Sequence, residues 1–123
     1  MQRAEKGPPG PAPDLEGVVG DVARAVAALP GVAASVHWHL YQPTEIDGAD
    51  FYRGEAELGH IHLDGWAHVR LTRAARDAAL ARGIGEPAPW RGYADWLHLH
   101  VTDRATAAQA LALFCESHAM RQS

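Results

Sequence analysis

Leu15, Val18, Val19, Val22, Val26 and Leu29 recur at steps of three and four, the spacing that gathers one apolar stripe on a helix. A helix over residues 14–29 is predicted, capped by Asp14 and stopped by Pro30 and Gly31. The period then drops to two. Val36, Trp38 and Leu40 alternate with Ser35, His37, His39 and Tyr41, which predicts a half-buried strand from Ala34 to Tyr41. QPTEIDGAD is rich in turn formers and reads as a loop. Phe51 to Arg53 then predicts a short strand, folded back through Gly54 and Glu55 onto a second from Ala56 to Leu63.

Asp64 and Gly65 reverse the chain into a further strand, Trp66 to Leu71, and the length of that reversal decides which side chains share a face. A two-residue turn would pair Leu63 with Trp66 and put His60 and His62 beside Val69 and Leu71. A three-residue loop, Leu63-Asp64-Gly65 with Gly65 left-handed, pairs His62 with Trp66 and His60 with His68. The second is preferred. It collects Ile61, Ala67, Val69 and Leu71 on one side and His60, His62, Trp66, His68 and Arg70 on the other.

Thr72 caps a predicted alanine-rich helix through Arg82, closed by Gly83, and the proline-stiffened loop GIGEPAPWRGYAD follows. Asp95 to Thr102 alternates again, Leu97, Leu99 and Val101 against Trp96, His98 and His100. Asp103 caps a last helix to about Met120 that carries Ala107, Ala110, Leu111, Phe114 and Cys115 on its apolar side. The order α-β-β-β-β-α-β-α predicts a two-layer α+β domain, an antiparallel sheet of four to five strands with helices on one face. Residues 1–13, rich in proline and glycine, read as a flexible tail, and residues 14–121 as one domain.

Composition narrows the function. The chain has 123 residues, 47% of them hydrophobic and 21% charged, with no long apolar run, so a soluble single domain in the cytoplasm is expected, with no membrane span. A lone cysteine, Cys115, excludes an internal disulfide and a cysteine-rich zinc motif, and its place on the helix predicts an inert buried thiol. No basic block marks a nucleic-acid partner. No serine stands in a nucleophile elbow, and no phosphate-cradling glycine loop occurs. The anomaly is eight histidines, whose protonation would reverse the formal charge of −4.

Seven of them fall on one predicted sheet face, and the forms HWH, HIH and HLH each set two imidazoles about 7 Å apart on the same side of a strand. Amphipathicity explains the shared side but not the choice of histidine. Three uses stay open. His60 or His62 could serve as a general base toward a bound small molecule, with His68 completing a catalytic group. His60, His62 and His68 could instead hold zinc, nickel, copper or iron. The face could also be buried in a homodimer without catalysis. Trp66, Trp96, Tyr41 and Trp90 would wall the face for an aromatic ligand, with His98 beside them and Arg70 or Arg53 meeting an anionic oxygen. Glu57 could orient a histidine. His118 is assigned a structural or solvated place in the last helix.

ELGHIHLDGWAHVRL, the alanine-rich helix, GIGEPAPWRG, WLHLHV and the terminal helix together resemble the luciferase domain family of fungal bioluminescence and its bacterial relatives, over about residues 52–120. The carrying residues are Gly59, His60, His62, His68, the loop of residues 83–89 and Trp96. The resemblance implies oxygenation of a hispidin-type pyrone by molecular oxygen with no organic cofactor. Ala88 stands where the family pattern has a histidine, and the membrane anchor of the fungal proteins is not expected here. His37, His39, His98 and His100 look particular to this chain, and light emission is not expected of it.

Overall fold

The computed structural model describes residues 10–39, 42 and 45–121. Helix α1 (Gly17–Ala27) is followed by strands β1 (Val32–Trp38), β2 (Ile46–Arg53), β3 (Ala56–His62) and β4 (Trp66–Arg70), helix α2 (Arg73–Ala81), strands β5 (Glu86–Pro87) and β6 (Trp96–His100), and helix α3 (Arg104–Met120). The strands form one antiparallel sheet in the order β1-β2-β3-β4-β6-β5. Six strands replace the four to five expected, because the two residues of β5 pair along the edge of β6. No described helix is long and apolar enough to cross a membrane.

All three helices meet one face of the sheet. Val22 and Val26 from α1, Ala79 from α2 and Ala110, Leu113 and Phe114 from α3 share one core with Ala49, Phe51, Leu58, Ile61, Ala67, Val69, Leu97 and Leu99. Phe51 and Phe114 meet edge to face at 5.4 Å, and both are fully buried. Burial of large side chains on that side makes strand parity costly to change, since a one-residue slip would send each of them into water.

The β3–β4 hairpin takes the three-residue loop. His60 lies opposite His68 and Ile61 opposite Ala67, with the Gly65 N–H bonded to the His62 carbonyl at 3.0 Å. Gly65 has φ +96, which only glycine adopts cheaply, and its carbonyl accepts from the Val101 N–H, tying the turn to the end of β6. The Thr72 hydroxyl caps α2 on the Ala75 N–H at 3.1 Å. Asp103 and Thr106 cap α3 reciprocally.

Several expectations are corrected. Asp14 does not cap α1; Glu16 stands there without a side-chain bond, because Leu15 turns into the core first and Arg24 holds its carbonyl at 3.2 Å. Leu29 falls in the turn after α1. The segment from Ile46 to Asp50 is strand rather than loop, its two aspartates being paired with imidazoles. Cys115 is exposed, since α3 turns Phe114, Ser117 and His118 inward and leaves position 115 beyond that stripe. Of the expected tail, residues 1–9 lie outside the described residues, while the Gly10 carbonyl accepts from the Val36 N–H and Pro11 bridges Ser35.

Candidate functional site

The face away from the helices carries the rings. His37 from β1, His60 and His62 from β3, His68 from β4 and His98 from β6 form a continuous array: His37 stacks on His60 at 4.3 Å, His60 on His68 at 4.8 Å, and His68 lies 4.4 Å from His98. His62 meets His37, His60 and His68 at 4.9, 5.2 and 5.0 Å. Alternation along each strand and the hairpin register are enough to bring them together.

One half of the array is braced by carboxylates. His37 Nδ1 lies 2.7 Å from Asp50, His60 Nδ1 3.0 Å from Glu57 and His62 Nδ1 2.8 Å from Asp47. An ionised carboxylate only accepts, so each Nδ1 carries the hydrogen and, in the neutral ring, each Nε2 keeps its lone pair. Asp50 is fully buried, a position a carboxylate holds only with partners. Two bulges deliver two of these acids, Asp47 and Glu57. Asp47 is the extra residue where His37 pairs with Gly48 and Trp38 with Ile46; Leu58 is the extra residue where Phe51 pairs with Gly59 and Tyr52 with Glu57.

The other half is aromatic. Trp66 stacks on His100 at 4.4 Å and meets His98 edge-on at 4.2 Å. Trp90, half-exposed on the proline-rich loop, stacks over His68 at 5.1 Å and His98 at 5.6 Å, and Tyr93 bridges Trp90 to Trp96. His68 is 4% exposed, and burial, followed by its histidine neighbours, pushes its pKa from 6.5 down to about 2. It is a neutral ring and a poor proton acceptor. His98 is pushed down for the same leading reason, with Glu86 opposing, and its Nδ1 is buried with no hydrogen-bond partner among the described residues.

The remaining expected residues divide. Trp96 lies 6.0 Å from His60, and Arg70, opposite Trp96 in the sheet, pairs with Asp95 at 3.6 Å near the edge of the aromatic half. Arg53 is on the helix side, bonded to the ring and carbonyl of His118, and His118 Nε2 also reaches the Pro30 carbonyl at 2.7 Å, a structural place. Tyr41 lies outside the described residues. His39 follows β1, and its Nδ1 accepts from the Gln42 N–H at 3.2 Å. Asp47, Asp50 and Tyr93 are additions that sequence reading missed; the two aspartates lie within β2, between the histidine-bearing strands β1 and β3.

His60, His62 and His68 are indeed adjacent, but the tightest nitrogen set differs. One ring nitrogen from each of His37, His60 and His62 lies within 4.8 Å of the others, and a second group joins His60 to Asp50 and Glu57. His68 belongs to neither.

The family model of the luciferase domain matches residues 55–117, which takes in β3, β4, α2, β5, β6 and most of α3. No curated protein and no solved structure matches the chain. His37, Asp47 and Asp50 lie outside the matched segment, whereas His60, His62, His68, Trp90, Trp96 and His98 lie inside it. With just over half of its length in that match, the chain belongs to the luciferase domain family.

Proposed function

We propose that the histidine face binds a flat aromatic, enolic molecule of the hydroxypyrone kind and forms its enolate for reaction with molecular oxygen. The supporting observation is the junction at His60, a carboxylate-held imidazole stacked on buried, neutral His68, which is itself covered by Trp90. Trp90, Tyr93 and Trp96 offer ring faces to a planar ligand, and His98 offers a nitrogen without a partner among the described residues. Neutral imidazoles can hydrogen-bond the oxygens of such a ligand without imposing charge.

Glu57 holds the Nδ1 hydrogen of His60, so Nε2 takes the enol proton and the carboxylate balances the imidazolium that results. The enolate then passes one electron to oxygen, and recombination of the radical pair forms the carbon–oxygen bond of a peroxide. Membership of the luciferase domain family agrees with this reaction class, but substrate identity does not travel with a fold.

The test is tryptophan quenching and oxygen uptake with a styryl-substituted hydroxypyrone, using the unsubstituted styrene as control. Saturable quenching by the pyrone alone, with uptake lowered at least a hundredfold by His60→Ala, is the expected result. Equal quenching by both compounds, or uptake indifferent to His60→Ala, would overturn it.

A further inference from the structure

We infer that His37, His60 and His62 form a binding site for one divalent first-row transition ion, of which zinc is the reference case. The inference goes beyond the enolate reading: three imidazoles, one from β1 and two from β3 on either side of β2, are each held through Nδ1 by a carboxylate of its own.

Three features make these residues, rather than the His60, His62 and His68 set, the ligands. One ring nitrogen from each lies within 4.8 Å of the others, and tetrahedral zinc with nitrogens at 2.0 to 2.1 Å needs separations of about 3.3 Å, so the rings would close inward on an ion. All three turn Nδ1 to a carboxylate, and a carboxylate behind a ligating imidazole is the usual outer brace of a metal site. The His68 ring has no such brace among the described residues.

Charge points the same way. Three carboxylates are gathered around the three imidazoles, with Asp50 fully buried among them, and a dication is their natural complement. The three histidine side chains keep 13–21% of their surface exposed, so an ion has a path in. Ion and proton would compete for the same His60 nitrogen, so His60 serves as the base only where no ion is bound.

The experiment is calorimetric titration of the chelator-treated full chain with zinc chloride alone, without any pyrone. One equivalent bound at micromolar Kd or tighter is expected, with cobalt(II) substitution giving the intense visible bands of a four-coordinate site. His37→Ala and His62→Ala should each weaken zinc at least a hundredfold. Asp47→Asn and Glu57→Gln, which preserve shape, should weaken it ten- to a hundredfold, as loss of an outer brace does. His68→Gln should change it less than threefold. Zinc bound no tighter than millimolar by the wild type, or affinity lost in His68→Gln and kept in His37→Ala, would overturn the assignment. Far-UV circular dichroism of each variant separates loss of ligand from loss of fold, and because no pyrone is present, failure here leaves the enolate reading standing.

Discussion

Glu57 and His60 are three residues apart in one strand, yet their side chains meet on the same face, Oε2 to Nδ1 at 3.0 Å. Regular alternation would put them on opposite faces. The extra residue Leu58 absorbs the difference: it drops its own side chain fully into the core and turns the acid toward the ring. Asp47 reaches His62 by a second bulge of the same kind on β2. Both deviations from a regular ladder therefore serve the histidine face, one acid apiece.

The Leu58 bulge is held from the helix layer. Ser117, fully buried on α3, directs its hydroxyl at the Arg70 carbonyl at 2.5 Å and the Leu58 carbonyl at 3.2 Å. Ser117→Ala removes the donor and leaves buried carbonyl oxygens short of a partner, so a loss of about 1–3 kcal/mol is expected in urea unfolding. A variant as stable as the wild type would show that the hydroxyl does not support the bulge.

Gly59 follows the bulge at φ +149, and a Cβ there would run into the His68 carbonyl and the Phe114 ring. Backbone and core would both have to give. Gly59→Ala is expected to cost about 3 kcal/mol or more, combining an unfavourable backbone conformation with overpacking. Thermal and urea melts of that single variant check it; a loss under about 1 kcal/mol would mean that β3 and β4 can separate locally without harm.

What could be read from the chain follows from what is local. The His60–His68 pairing was legible because Asp64-Gly65 offers only two plausible loops and apolar side chains on four positions choose between them. The Thr72 and Asp103 caps were legible because a cap needs only its own first turn. Asp14 failed as a cap because the core claimed Leu15, a tertiary demand that overrides the local signal. The acids at positions 47 and 50 were hidden for the same kind of reason, whereas Glu57 could be named as a partner for a histidine though not the bulge that delivers it. IDGAD has the composition of a turn and becomes strand only because β1 and β3 place imidazoles beside it, and a bulge is a mismatch in residue count between two strands. Cys115 was misplaced by one helical step, the width of the buried stripe on α3.

His68 sets a pH dependence. Its native pKa lies near 2 because burial, reinforced by the surrounding histidines, disfavours the charged ring, whereas the unfolded chain binds a proton at the ordinary 6.5. The native state therefore lacks a proton that the unfolded state holds at every pH between those values. The contribution of His68 is complete above pH 6.5 and declines by roughly 1.4 kcal/mol per pH unit as pH falls toward 2. His98 is shifted in the same direction and adds to the slope. Urea unfolding of chelator-treated protein at pH 7.5, 6.0 and 5.0 should show a shallower decline for His68→Gln than for the wild type; parallel declines would place the proton linkage elsewhere.

The two halves of the face should be separable by substitution. Trp90 touches only the aromatic half, over His68 and His98, and is about half exposed, so Trp90→Ala is expected to cost under about 1 kcal/mol of stability while raising the Kd for the hydroxypyrone at least tenfold. Its zinc affinity should stay within threefold of wild type. His37→Ala lies on the far side of His60 and should do the reverse, abolishing tight zinc binding while the pyrone still quenches tryptophan fluorescence. Fluorescence and calorimetric titrations of the two variants complete the comparison. If each substitution instead weakens both ligands by the same factor, the rings act as one cooperative site and the division at His60 is wrong; if the effects stay apart, His60 is the one imidazole the two halves share.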